Sequence, residues 1–156
     1  MSIGQKLALL VLCLGIGFAP GLVGSQFAPG GWYEALDKPP LTPPGWVFPV
    51  VWTALYAAIG ASLYLYLTAP RRPIPRAPIV AFGLQLIANA AWSWLFFGLE
   101  RPGLALIDIV GLVALVAFTA YTFGRRRRIA GALLWPYLLW IGFATYLNAG
   151  IVLLNL

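Results

Sequence analysis

Histidine is absent from this chain, and cysteine occurs once, at Cys13. The first absence removes the commonest metal ligand, the commonest haem ligand and the commonest general base. The second rules out an intrachain disulfide, so the thiol says nothing about redox compartment. Charge is scarce as well: 9% of residues are charged, against roughly 25% in an ordinary soluble domain. No paired acid and base and no activated nucleophile can be assembled for conventional turnover, and no metal site is expected. What is abundant is apolar surface, with 62% hydrophobic residues and a mean hydropathy of +0.88. A chain with so little polar surface cannot cover itself in water, so its solvent is lipid.

Five apolar segments stand out, at about residues 3–23, 46–67, 78–97, 103–123 and 129–154; Lys6 and Asp108 are their only charged residues. A helix needs roughly 20 apolar residues to cross the hydrocarbon. Lipid offers backbone groups no hydrogen-bond partner, which makes helices the default spanning form. The expected fold is an all-α membrane protein, a five-transmembrane-helix bundle in one domain over residues 1–156, with residues 24–45 as a long first loop. The first segment could instead be read as a cleaved signal peptide, with Lys6 as its n-region and Gly24-Ser25 near the cleavage site.

Loop charge predicts orientation. In a five-helix chain the N-terminus, second loop and fourth loop share a side, which carries eight bases: Lys6, Arg71, Arg72, Arg76 and Arg125 to Arg128. The other side carries two, Lys38 and Arg101, together with Glu34, Asp37 and Glu100. The positive-inside rule then puts the N-terminus in the cytoplasm and the C-terminus outside. The arginine run reads as an anchor on an anionic leaflet rather than a nucleic-acid patch.

The first loop contains Pro39-Pro40 and Pro43-Pro44, which make it a stiff arm, either a lid over one membrane face or a simple connector. Seven tryptophans are present. Trp32 and Trp46 suit the interfacial aromatic belt. Trp52 and Trp140 lie too deep for it, and Trp92 and Trp94 add to the third helix.

Polar residues inside the spans fall on shared faces. Gln85, Asn89 and Trp92 are spaced i, i+4, i+7; Trp140, Ala144 and Asn148 are spaced i, i+4, i+8, as are Phe48, Trp52 and Tyr56. Such groups are costly towards lipid and should face inward. Trp52, Asn89, Asp108 and Asn148 all fall in the outer half, leaving an inner half that is almost purely aliphatic. This predicts either a ligand pocket roofed by the first loop, or amides acting as interhelical glue. Asp108 has no intramembrane base to pair with and is expected to accept backbone, Trp or Asn hydrogen bonds, a structural role rather than a proton relay. Gly17 and Gly21 form a small-xxx-small pair that suits either intrachain packing or a dimer seam.

Four motifs then carry a resemblance over essentially the whole chain: Trp32-Tyr33 with Lys38-Pro39-Pro40; Pro43-Pro44-Gly45-Trp46-Val47-Phe48-Pro49-Val50-Val51-Trp52; Gln85-x-x-x-Asn89-x-x-Trp92 with Phe96-Phe97; and Pro136-Tyr137-x-x-Trp140-x-x-x-Ala144-Thr145-Tyr146-Leu147-Asn148. The sequence resembles the TspO/MBR family of tryptophan-rich sensory proteins. The resemblance implies a homodimeric five-helix bundle in a membrane, for bacterial members the cell membrane. It implies a cavity under the first loop for porphyrins such as protoporphyrin IX, other tetrapyrroles and sterols, with no required cofactor. Cavity positions carried over are Tyr33, Trp46, Trp52, Asn89, Trp92, Trp140 and Ala144; the face spacing adds Phe48, Gln85 and Asn148. Trp52 and Trp140 match the tryptophans implicated in light-driven porphyrin breakdown. The sterol-recognition motif of animal members needs a base after the last aromatic, and none follows Tyr146, so a sterol site of that type is not expected.

Three functions therefore compete: a tetrapyrrole receptor or sensor, a photo-oxidative degrader, and a transporter of tetrapyrroles or other hydrophobic metabolites. A structural subunit without ligand is the bland alternative. The chain shows no internal repeat of the kind that marks many transporters.

Overall fold

The computed structural model describes residues 1–70 and 73–156. Arg71 and Arg72, two of the eight bases assigned above to the N-terminal side, lie outside the described residues. The elements are α1 (Ile3–Gly24), α2 (Gly31–Ala35), α3 (Val47–Leu67), α4 (Arg76–Ser93), α5 (Pro102–Arg126), α6 (Arg128–Ala132) and α7 (Trp135–Leu154). A π-turn over Trp94–Gly98 prolongs α4. Among the described residues there is no strand. Five stretches are long and apolar enough to span a membrane: α1, α3, α4 with its π-turn, α5, and α6 with α7.

Local chemistry sets the ends. Ser2 and Gln5 close a reciprocal capping box on α1, at 3.3 and 2.8 Å. Proline opens α5 and α7 within their first two positions, where its missing N–H costs nothing. A single residue in extended geometry, Arg127 (φ −148°), separates α5 from α6.

The helices form a ring in the order α3, α1, α4, α5, α7. It closes loosely between α3 and α7, and α6 joins α3 at the basic end, where the Ser62 hydroxyl donates to the Ala130 carbonyl at 2.7 Å. Glycine permits the tight crossings. A Cβ built on Gly17 would stand 2.6 Å from the Gly60 nitrogen, and one on Gly21 2.5 Å from the Tyr56 ring. The small-xxx-small pair of α1 therefore packs within the chain, and that face is unavailable to a second copy.

The half of the bundle at the basic end is less aliphatic than expected. Tyr66 and Phe123 stack at 3.9 Å, and Phe82 lies 5.6 Å from Phe123. Three distant aromatics converge there because their helices cross at one level, which no single helix face reveals. The outer surface carries Leu7, Val11, Ile107, Val110 and Leu139, all exposed. In water such a surface would drive aggregation; in a bilayer it is the natural boundary.

Candidate ligand-binding cavity

The end of the bundle away from the basic loops is hollow. A cavity of about 840 Å³ lies between α1, α3, α4, α5 and α7, with the first loop along its rim. Of the ten residues singled out from sequence, eight line it: Tyr33, Phe48, Trp52, Asn89, Trp92, Trp140, Ala144 and Asn148. Two stand apart. Trp46 caps α3 from outside and is 69% exposed, a position that suits an interfacial ring. Gln85 is 1% exposed and sits one turn deeper than Asn89, below the cavity floor. Trp32, on the short helix of the first loop, is half-buried and puts its ring edge-on to buried Phe96 at 5.9 Å.

The walls are aromatic. Trp52 stacks on Tyr56 at 5.2 Å and meets Tyr137 edge-on at 6.1 Å. Phe48 meets Trp140 edge-on at 5.9 Å, so these two rings bridge the loose seam between α3 and α7. Trp92 stacks on Phe96 at 4.9 Å. The π-turn adds one residue to the turn, so Phe96 and Phe97 both line the cavity and both pack against Tyr33 of the first loop.

The polar groups are largely committed to one another. Asn89 accepts from the Tyr56 hydroxyl at 3.1 Å and donates to the Tyr137 oxygen at 2.9 Å, tying α3, α4 and α7 together. Asn148 accepts from the Trp92 indole at 3.0 Å and donates to the Pro102 carbonyl at 2.8 Å. The same two amides therefore line the cavity and tie helices together. Asp108 departs from expectation: its Oδ2 is buried without a partner, as is the Trp140 indole nitrogen. Asn148 meets Pro102 across antiparallel helices, so Asp108, roughly 9 Å along α5, and Trp140, roughly 12 Å along α7, lie at similar depth.

Both amide atoms of Gln85 are also buried without partners. Orphaned buried amides cost about 1–3 kcal/mol, whereas interhelical bonds in membranes contribute roughly 0.6 kcal/mol each. Gln85→Leu should therefore melt at or above the parent, and Asn89→Leu below it by about 1 kcal/mol. Thermal unfolding in detergent decides; the opposite ranking would show that Gln85 has a partner and Asn89 is dispensable.

The first loop is latched to the end of α7. The Asn155 side chain accepts from the Asp37 N–H at 3.0 Å and donates to the Asp37 carbonyl at 2.9 Å. The Tyr146 hydroxyl donates to the Pro40 carbonyl at 3.0 Å. Between them buried Pro39 rests on Gly150, where a Cβ would stand 2.5 Å from the proline ring. The loop is thus docked on α7 along the rim of the cavity. Burial pushes the Tyr33 phenol above its ordinary range, so it stays a neutral hydroxyl. Lys38 lies 4.8 Å over the Tyr33 ring and donates to the carbonyls of Glu34 and Leu36. Asn155→Ala should speed amide exchange at Asp37 about five-fold, equivalent to about 1 kcal/mol of local stability. Unchanged exchange would mean the latch holds nothing.

Sequence reasoning missed the contribution of α1, whose Phe18 and Gly21 line the cavity. The glycine spacing was the available signal, since it marks where α1 can press on α3.

Five membrane-length helices around a docked loop and an aromatic hollow define an integral, multi-pass membrane protein with an intrabundle cavity. The TspO/MBR family model matches residues 9–154. The chain is 40% identical to Tryptophan-rich protein TspO of Chlorobaculum tepidum, over 97% of this chain and 98% of that one. It is 39% identical to the protein of the same name in Archaeoglobus fulgidus, over 99% of each chain. Its identity to the human Translocator protein is 38%, over 88% of this chain and 86% of that one. The chain belongs to the TspO/MBR family.

Proposed function

We propose that this protein is a membrane receptor for protoporphyrin IX and related tetrapyrroles, which it binds in the cavity beneath the first loop. The observation that carries the reading is the cavity: about 840 Å³, walled by Trp52, Trp92, Trp140 and Phe48. Indole faces suit a flat, apolar macrocycle. Lys38 at the rim is the one base among the described lining residues, and it offers an ammonium to a ligand carboxylate. With no histidine in the chain, the macrocycle is held by stacking and shape rather than by an axial imidazole. In this reading the protein forms a homodimer through a face other than Gly17 and Gly21. It lies in the cell membrane of a bacterium, with its N-terminus cytoplasmic.

Light adds a second activity to the same site. The excited pigment, or the reactive oxygen it forms from dioxygen, attacks the indoles of Trp52 and Trp140 beside it, and addition of that oxygen to the macrocycle leaves a modified pigment. Transport, suggested by the name of the human relative, is less well supported. The cavity ends at Tyr56, Leu112 and Ile141, and buried Ile59, Leu63 and Val116 fill the space beyond.

Titration with protoporphyrin IX, followed by the pigment's own absorbance, should give a saturable complex at one equivalent per chain. Etioporphyrin, which lacks carboxylates, should bind more weakly, and Lys38→Gln should erase the difference. Non-saturable uptake equal to that of empty micelles refutes the receptor reading. Flux of the pigment into sealed vesicles would favour the transporter.

A further inference from the structure

The four consecutive arginines at the basic end are not equivalent. Arg126 turns back into the bundle, donating to the carbonyls of Tyr66 and Pro73, both at 3.0 Å. Arg127 breaks the helix. The break sets α6 against α5 so tightly that a Cβ on Gly131 would stand 2.5 Å from the Ala120 carbonyl. Beside that contact the step between α5 and α7 leaves a second hollow, of about 440 Å³, and Arg125 and Arg128 both line it.

We propose that this crevice binds one anionic phospholipid, its phosphate between Arg125 and Arg128 and one acyl chain along the groove below. The chemistry is divided by depth. At the mouth stand two exposed guanidiniums, groups whose planar fork matches phosphate oxygens. Beside them are Tyr121, 64% exposed, and Trp135, 57% exposed, rings that suit the headgroup level. Arg125 lies 5.9 Å from the Tyr121 ring. Among the described residues no carboxylate lines the crevice. Its floor is small and apolar: Ala117 lies two turns from Arg125, so the groove reaches roughly 12 Å into the hydrocarbon. A soluble phosphate has no use for that trench. A zwitterionic lipid brings a cation that two arginines repel. A net-negative headgroup with a chain attached uses both parts, and basic pockets between membrane helices take such lipids.

The test is native mass spectrometry of the full chain from micelles holding equal phosphatidylglycerol and phosphatidylcholine. One phosphatidylglycerol should be retained with at least five-fold preference. Arg125→Gln with Arg128→Gln should bring the preference to parity. Ala117→Phe, with both guanidiniums intact, should also lose it by filling the floor; Leu138→Phe replaces it if that variant misfolds. Lys6→Gln with Arg76→Gln removes the same charge from the same end and should change nothing. Preference that survives the double arginine variant, or that falls equally in the Lys6 and Arg76 control, overturns the site. Displacement by millimolar glycerophosphate, or retention in both groove-filling variants, would reduce it to a bare phosphate site and overturn the lipid. None of these outcomes depends on what the larger cavity holds.

Discussion

Replacing Trp52 and Trp140 together by leucine is expected to weaken protoporphyrin IX binding about five- to hundred-fold. Aromatic stacking contributes about 0.5–1.5 kcal/mol per pair beyond area burial, and two such contacts correspond to that range at 1.4 kcal/mol per decade. Both rings line the cavity, and they approach from different helices, Trp52 from α3 and Trp140 from α7. Among the described residues the substitutions strand no hydrogen-bond partner: the Trp140 nitrogen has none, and Trp52 meets Tyr56 and Tyr137 through ring faces and edges. A fall in affinity is therefore separable from a fall in stability, which a melting curve on each variant checks. Exchange of both residues for phenylalanine tests the photochemistry. Flat rings remain, so binding should stay within about three-fold, while the indoles that oxidise are gone. Pigment loss under light should then fall to the rate of the free pigment. Leucine variants that bind like the parent would remove these rings from the site. Phenylalanine variants that still accelerate pigment loss would remove them from the photochemistry.

Much of this architecture is written in the sequence because lipid imposes simple rules. Segment 3–23 became α1 over Ile3–Gly24, and 46–67 became α3 over Val47–Leu67. Only charge and length were needed. The shared faces of α3, α4 and α7 were equally legible, since helical spacing states which residues travel together. Spacing does not state how deep a cavity goes. Gln85 shares a stripe with Asn89 and Trp92, yet one further turn carries it under the floor. Nor does it reveal register defects. The π-turn at Trp94–Gly98 and the break at Arg127 each depend on how neighbouring helices pack, and they shape the two hollows. Asp108 shows the same limit. The sequence identifies a lone acid among apolar residues, but whether a donor reaches it depends on helix rotation, and its Oδ2 is left without one.

Gly60→Ala, the addition of one methyl group, is expected to be among the most damaging single changes in the chain. The new Cβ would stand 2.6 Å from the Leu14 Cα and 2.7 Å from the Cys13 carbonyl. Both are backbone atoms, so no rotamer change relieves the clash and α1 as a whole must back away. Overpacking costs about 1–3 kcal/mol where side chains can adjust, and here they cannot. In lipid the loss is compounded, because close backbone approach is itself the source of helix affinity. Backing away would also draw Gly21 and Phe18 from the Tyr56 ring, loosening the cavity wall and the Tyr56–Asn89 hydrogen bond. Ligand affinity should therefore fall with the melting temperature. Gly83→Ala supplies the control: a Cβ there meets nothing within 4 Å. It should melt with the parent or slightly above, since alanine is favoured over glycine in a helix by about 1 kcal/mol. If the two variants melt together, the α1–α3 crossing is slack and cannot be what holds that wall of the cavity.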